Sequence, residues 1–163
     1  MTRNVFYSFH YKPDCFRAAQ IRNMGVVDGN KPASDHDWET VKKGGDAAIQ
    51  KWIDDQLSGK SCAVVLIGAN TAGRKWINYE IKKAWEEGKG VVGVYIHGLK
   101  DLDGNQSTKG SNPFDNFNLN GTKMSSIVKV YNPPYSDSKE VYKHIKDNLA
   151  AWIEEAIIIR GKY

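Results

Sequence analysis

Ser61-Cys-Ala-Val-Val-Leu-Ile-Gly68-Ala-Asn-Thr-Ala-Gly-Arg-Lys-Trp76-Ile-Asn-Tyr-Glu80-Ile-Lys-Lys-Ala-Trp85 decides how this chain folds. Cys62 to Ile67 is an unbroken apolar run of strand length, the signature of a strand covered on both faces. A polar turn from Gly68 to Arg74 follows. Ile77, Ile81, Ala84 and Trp85 then recur at helical spacing and predict the buried face of a helix. Glu80 falls on the edge of that face, one turn after Trp76. A carboxylate beside an aromatic plate, at the rim of a parallel sheet, suits a partly desolvated cleft. A boundary carboxylate paired with a nearby Lys is the plainer reading of the same spacing.

Outward from this unit, strand and helix patterns alternate. Val5 to His10 predicts a first strand rich in β-formers. Pro13 and Asp14 open a helix carrying Phe16, Ala19 and Ile21. Gly25 to Val27 predicts a very short second strand, followed by a polar loop from Asp28 to Gly45 whose length makes it a functional candidate. Ile49, Trp52, Ile53 and Leu57 line the next helix, with Gly59 just past its end. Val91 to Ile96 is the fourth strand and Ile127 to Tyr131 the last. The closing helix presents Val141, Ile145, Leu149, Trp152 and Ala156. Between them lies a long polar insertion at about 98–126, anchored by Leu99, Leu102, Phe114, Phe117, Leu119 and Met124. It is expected to serve as a lid or a partner surface.

This alternation predicts an α/β fold, a flavodoxin-like, doubly wound five-stranded parallel sheet of order 2-1-3-4-5 in a single domain. Ligands bind such sheets beyond the carboxyl ends of strands 1 and 3. Those ends carry Ser8-Phe9-His10 and Gly68 to Arg74, and the helix bearing Glu80 starts there.

Bulk properties narrow the class. A chain of 163 residues buries about 70% of its unfolded surface, so it needs no staples. Cys15 and Cys62 form neither a disulfide framework nor a metal-spaced set. No h-region of a signal peptide and no membrane-length apolar run is seen, which predicts a cytoplasmic protein. The net charge of +4 is spread over scattered Lys and Arg, without the stripe that nucleic acid requires.

Other constellations are weaker. Gly68 to Lys75 has the glycine spacing of a phosphate loop, but Arg74 and Lys75 stand where Lys and Ser or Thr belong. Its backbone donors and Arg74 still suit a diphosphate at the helix start, against an ordinary strand-to-helix turn. Ser8 and His10 are too far apart along the strand for a nucleophile–base pair and read as polar lining. Asp35, His36, Asp37 and Glu39 lack a second ligand cluster, so an acidic helix start fits better than a metal site. Asp101 to Asn105 reads as a turn and not a calcium loop.

These residues together resemble a TIR domain. Val5 to His10 looks like that family's opening strand, Ser61 to Gly68 like its third, and Trp76-Ile-Asn-Tyr-Glu80 like its Trp-x-x-x-Glu. More narrowly, Phe6 to His10, Arg74 to Ile81 and Lys109 to Asp115 resemble the TIR-like proteins of bacterial Thoeris antiphage defence. The resemblance implies a hydrolase-type activity on NAD, cleaving the nicotinamide–ribose bond. It further implies a cyclic ADP-ribose-type signal that activates a nucleotide-sensing antiviral effector. It assigns catalysis to Glu80 and substrate binding to Phe6, Ser8, Phe9, His10, Asn30, Asp37, Arg74 and Trp76. NAD is then the substrate, with no cofactor and no metal, and TIR surfaces self-associate. The alternative is a non-catalytic TIR interaction module. A flavodoxin-like receiver is disfavoured because Ser8-Phe9-His10 stands where its acidic pair belongs.

Overall fold

The computed structural model describes residues 3–29 and 41–163. In chain order the elements of the main body are β1 (Asn4–Ser8), α1 (Tyr11–Arg22), β2 (Asp28–Gly29), α2 (Gly45–Leu57), β3 (Cys62–Ile67), α3 (Lys75–Glu86) and β4 (Gly90–Tyr95). A hairpin of β5 (Asn118–Leu119) and β6 (Thr122–Lys123) follows, then β7 (Val130–Tyr131) and α4 (Ser138–Arg160). Strands pair in the order β2-β1-β3-β4-β7, every pair parallel. The three central strands carry the sheet; β2 and β7 are two-residue edge pairings.

Side chains alternate across the sheet and both faces are covered, which is why the central strands read as continuous apolar runs. Val5, Tyr7, Val64, Leu66, Val92 and Val94 pack under α1 and α4. Phe6, Ala63, Val65, Ile67, Val91 and Tyr95 pack under α2 and α3. On α4 the whole expected stripe, Val141 through Ala156, is buried. Cys62 is sealed in the core, and burial pushes its thiol up to about 12.

Several expectations shift. The second strand pairs at Asp28–Gly29, not at Gly25 to Val27, since Gly25 bends the chain at φ 69°. The last strand shrinks to Val130–Tyr131, because the residues before it form a 3-10 turn at Met124–Ser126 and a bend. Trp85 is only half-buried, tilted against Tyr163 under Arg160.

Helix α1 starts at Tyr11, its first turn accepting Pro13. Its buried stripe is Asp14, Arg17, Ala18 and Ile21, whereas Phe16 is 41% exposed and Ala19 half-buried. The helical repeat was present, but two of its positions are polar and neutralise one another. Arg17 Nη1 donates to Asp14 Oδ1 at 2.9 Å, Nε to the Leu99 carbonyl at 2.9 Å and Nη2 to the Asn105 carbonyl at 2.8 Å. Helix α1 is thereby tied to the chain leaving β4.

The polar insertion is built into the body. Leu99, Phe114 and Met124 are fully enclosed, while Leu102 is 79% exposed and anchors nothing. Asn112 caps a 3-10 turn at Pro113–Asn116 that drives Phe114 into the α3-side core. Asp101 Oδ1 accepts from the backbone N–H groups of Asp103 and Asn105, so that stretch is a turn.

Candidate active site

Ser8 ends β1, in register with Val65 of β3, and shares the sheet face of Phe6. Helix α3 returns over that face with Ile77, Glu80, Ile81 and Ala84 buried. The two elements meet where Ser8 Oγ donates a hydrogen bond to Glu80 Oε2. Ser8 is 1% exposed and Glu80 8%. Loss of water pushes the Glu80 carboxyl up to about 8, against the Ser8 hydrogen bond, which favours the charged form. A carboxyl raised by burial in this way, at the carboxyl end of β1, is suited to ionise when a cation arrives.

Glu80 takes its hydrogen bond from Ser8, whereas Trp76 lies edge-on to Tyr79 at 5.7 Å with Lys75 Nζ 4.9 Å over its ring. No Lys pairs with Glu80 among the described residues. Phe6, expected to contact substrate, is 1% exposed and packs in the core beneath the site. Phe9 is half-buried and stacks on Tyr11 at 6.0 Å. His10 precedes α1, its Nδ1 buried without a hydrogen-bond partner among the described residues. Burial, and then the Arg74 charge, hold its imidazole below the usual histidine range. Asn30, Asp35 and Asp37 lie outside the described residues.

The Gly68–Arg74 turn spends two of its donors on itself. Gly68 N–H donates to Thr71 Oγ1 at 2.8 Å, with Thr71 fully buried, and exposed Arg74 donates from Nε to the Asn70 carbonyl at 2.9 Å. Gly68 must be glycine: a methyl group there would run into the Asp14 carboxylate. Among the described residues Asp14 Oδ2 has no hydrogen-bond partner, and burial raises its carboxyl against the pull of Arg17.

A wall that the spacing of residues did not reveal stands on the β4 side. The strap at 106–112 folds back so that Ser107 N–H donates to the His97 carbonyl at 2.9 Å. Gly110 presses on the Gly68 and Ala69 carbonyls, where any side chain would collide. Lys109 Nζ sits 4.9 Å over the Tyr95 ring. Asn112-Pro113, a cap followed by a helix start, was the available signal that this segment is ordered. Among the described residues no three His, Cys, Asp or Glu side chains gather as metal ligands, and no helix is long and apolar enough to cross a membrane.

Residues 6–101, more than half of the chain, match the family described as Thoeris protein ThsB, TIR-like domain. This chain belongs to that family. A relative of this ThsB-family chain in Bacillus cereus (strain MSX-D12), named "Putative cyclic ADP-D-ribose synthase ThsB1", is 40% identical over 120 residues. The aligned part is 71% of this chain and 62% of the relative, so the chain spans less than two thirds of that protein. The family match takes in Ser8, the Gly68–Arg74 turn and Glu80, and it ends before the strap that carries Lys109.

Proposed function

We propose that this ThsB-family protein consumes NAD, breaking the nicotinamide–ribose bond and converting the remainder into a cyclic ADP-ribose-type signalling nucleotide. The observation that carries the reading is the buried Ser8–Glu80 pair at the carboxyl end of β1. The name of the Bacillus relative supports the product class. The strand order β2-β1-β3-β4-β7 supports a flavodoxin-like, doubly wound architecture, which places ligands at this end of the sheet.

The chemistry follows from charge. In NAD the nicotinamide ring is a pyridinium and leaves as neutral nicotinamide, taking the electron pair of the bond to the ribose C1′ carbon. A ribosyl oxocarbenium remains. An ionised Glu80 stabilises that cation and accepts hydrogen bonds from the ribose hydroxyls. The arriving pyridinium lowers the Glu80 value, so the carboxyl gives its proton to solvent and meets the forming cation as a carboxylate. Closure by a group of the ADP half gives the cyclic product, and attack by water gives the linear one; exclusion of water favours closure. Phe9, His10, Arg74 and Trp76 border this end of the sheet as substrate-lining candidates. No metal or cofactor takes part in this scheme.

The same reading makes the protein cytoplasmic, self-associating through TIR surfaces, and linked to an antiphage effector through its product. It is tested by incubating purified protein with NAD and following nicotinamide and the nucleotide product by chromatography. Nicotinamide release that disappears in Glu80→Gln supports it. A folded, assembled wild-type protein that leaves NAD intact favours the interaction-module alternative.

A further inference from the structure

We propose that Lys109, carried on the 106–112 strap, holds the diphosphate of the dinucleotide substrate and so makes the site select NAD over nicotinamide nucleosides. This rests on the NAD-cleaving reading and adds a residue from the Lys109–Asp115 stretch, beyond residues 6–101.

Topology supplies the distance. Ser8 is in register with Val65, and Val65 with Gly93, while Tyr95 lies two residues further along β4. Two strand spacings across and two residues along place Tyr95 about 12 Å from Ser8. Phe6, Val65 and Tyr95 belong to one packed face, so Ser8 and Tyr95 look to the same side of the sheet. A nicotinamide ribose on Glu80, with its diphosphate extended toward β4, fills that span once both side chains reach inward.

Charge singles out Lys109 there. Its ammonium rides on the Tyr95 ring and makes no ion pair with a carboxylate among the described residues. Tyr95 also feels the Asp115 carboxylate, and His97 feels both Lys109 and Arg17. The turn between β3 and α3 offers less than its glycines suggest, since Gly68 N–H is committed to Thr71. The one cation of that turn, exposed Arg74, already spends its Nε on the Asn70 carbonyl, so a second cation from the β4 side adds charge that the turn does not supply. The strap is held to deliver one: Gly110 lies on the Gly68 and Ala69 carbonyls, and Phe114 is locked in the core four residues on.

The experiment compares wild type, Lys109→Met and Lys109→Arg on NAD and on nicotinamide riboside, which has the same scissile bond without phosphates. In parallel, calorimetry measures ADP-ribose binding to Glu80→Gln with and without Lys109→Met. Loss of a charge-assisted contact lowers the kcat/KM ratio of NAD to riboside by about tenfold, mainly through KM, and Arg restores most of it. ADP-ribose affinity falls by a similar factor. An unchanged substrate ratio with active protein overturns the assignment of Lys109 and leaves NAD cleavage standing. Lys109-dependent ADP-ribose binding without NAD cleavage supports the diphosphate contact and sinks the catalytic reading. Wild-type affinity for ADP-ribose in Lys109→Met, or no binding in either protein, overturns the inference.

Discussion

Ser8, the last residue of β1, donates its hydroxyl to Glu80 on α3, joining positions 72 residues apart where almost no water reaches. The hydrogen bond favours the ionised carboxylate and burial opposes it, with burial the larger effect. The ionised form is the one that stabilises a ribosyl cation. In the free enzyme kcat/KM for NAD is therefore expected to rise with pH up to about 8 and then level off. The limb in kcat lies lower, because the bound pyridinium favours ionisation. Ser8→Ala moves the kcat/KM limb up by about one unit. A limb that stays in the ordinary carboxylate range in both proteins contradicts this account.

The same carboxyl sets a pH dependence of stability. Its folded value is raised from 4.5 to about 8, so between those values the folded protein keeps a proton that the unfolded chain has released. Its contribution is full below the unfolded value and is lost as pH rises through the folded one. Glu80→Gln, neutral throughout, is expected to melt close to wild type near about pH 5 and above it near about pH 9. Parallel melting curves across that range would show that Glu80 is not desolvated in solution.

Arg17 and Asp14 form a pair with side chains 4% and 2% exposed. Arg17→Ala leaves the Asp14 carboxylate buried and alone, at a cost of about 3–5 kcal/mol in urea denaturation. Asp14→Asn in the same background is expected to recover a large part of that loss. If Arg17→Ala is neutral, α1 is not tied to the Leu99–Asn105 stretch as described.

The insertion makes a structural prediction opposite to the one its polarity suggests. Replacing 98–126 by a short Gly-Ser connection removes Leu99, Phe114 and Met124 from the core and is expected to abolish cooperative folding. Phe114→Ala alone costs about 3–5 kcal/mol. A folded, NAD-cleaving protein without the insertion would return it to the role of a mobile lid.

Most of this fold is legible because its elements advertise themselves. Cys62–Ile67 and the α4 stripe have no competing periodicity, and each forms where it is expected. The misses share a cause: tertiary partners replaced local pattern. Asp14 and Arg17 occupy core positions of α1 only because they neutralise one another across a turn. Phe114 is buried because Asn112 and Pro113 aim it inward, in a stretch whose composition reads as loop. At the site, the spacing within α3 suggested Trp76 as the companion of Glu80. The hydrogen-bond partner came from β1 instead, since the sheet register, which no helical spacing encodes, sets what lies opposite a helix.

The most direct test of the central claim is nicotinamide release from NAD by wild type and Glu80→Gln, with folding of both verified by circular dichroism. Release by wild type and at least a hundredfold loss, about 3 kcal/mol of transition-state stabilisation, in a folded Glu80→Gln is the predicted result. A folded Glu80→Gln protein that turns over NAD at the wild-type rate would contradict it.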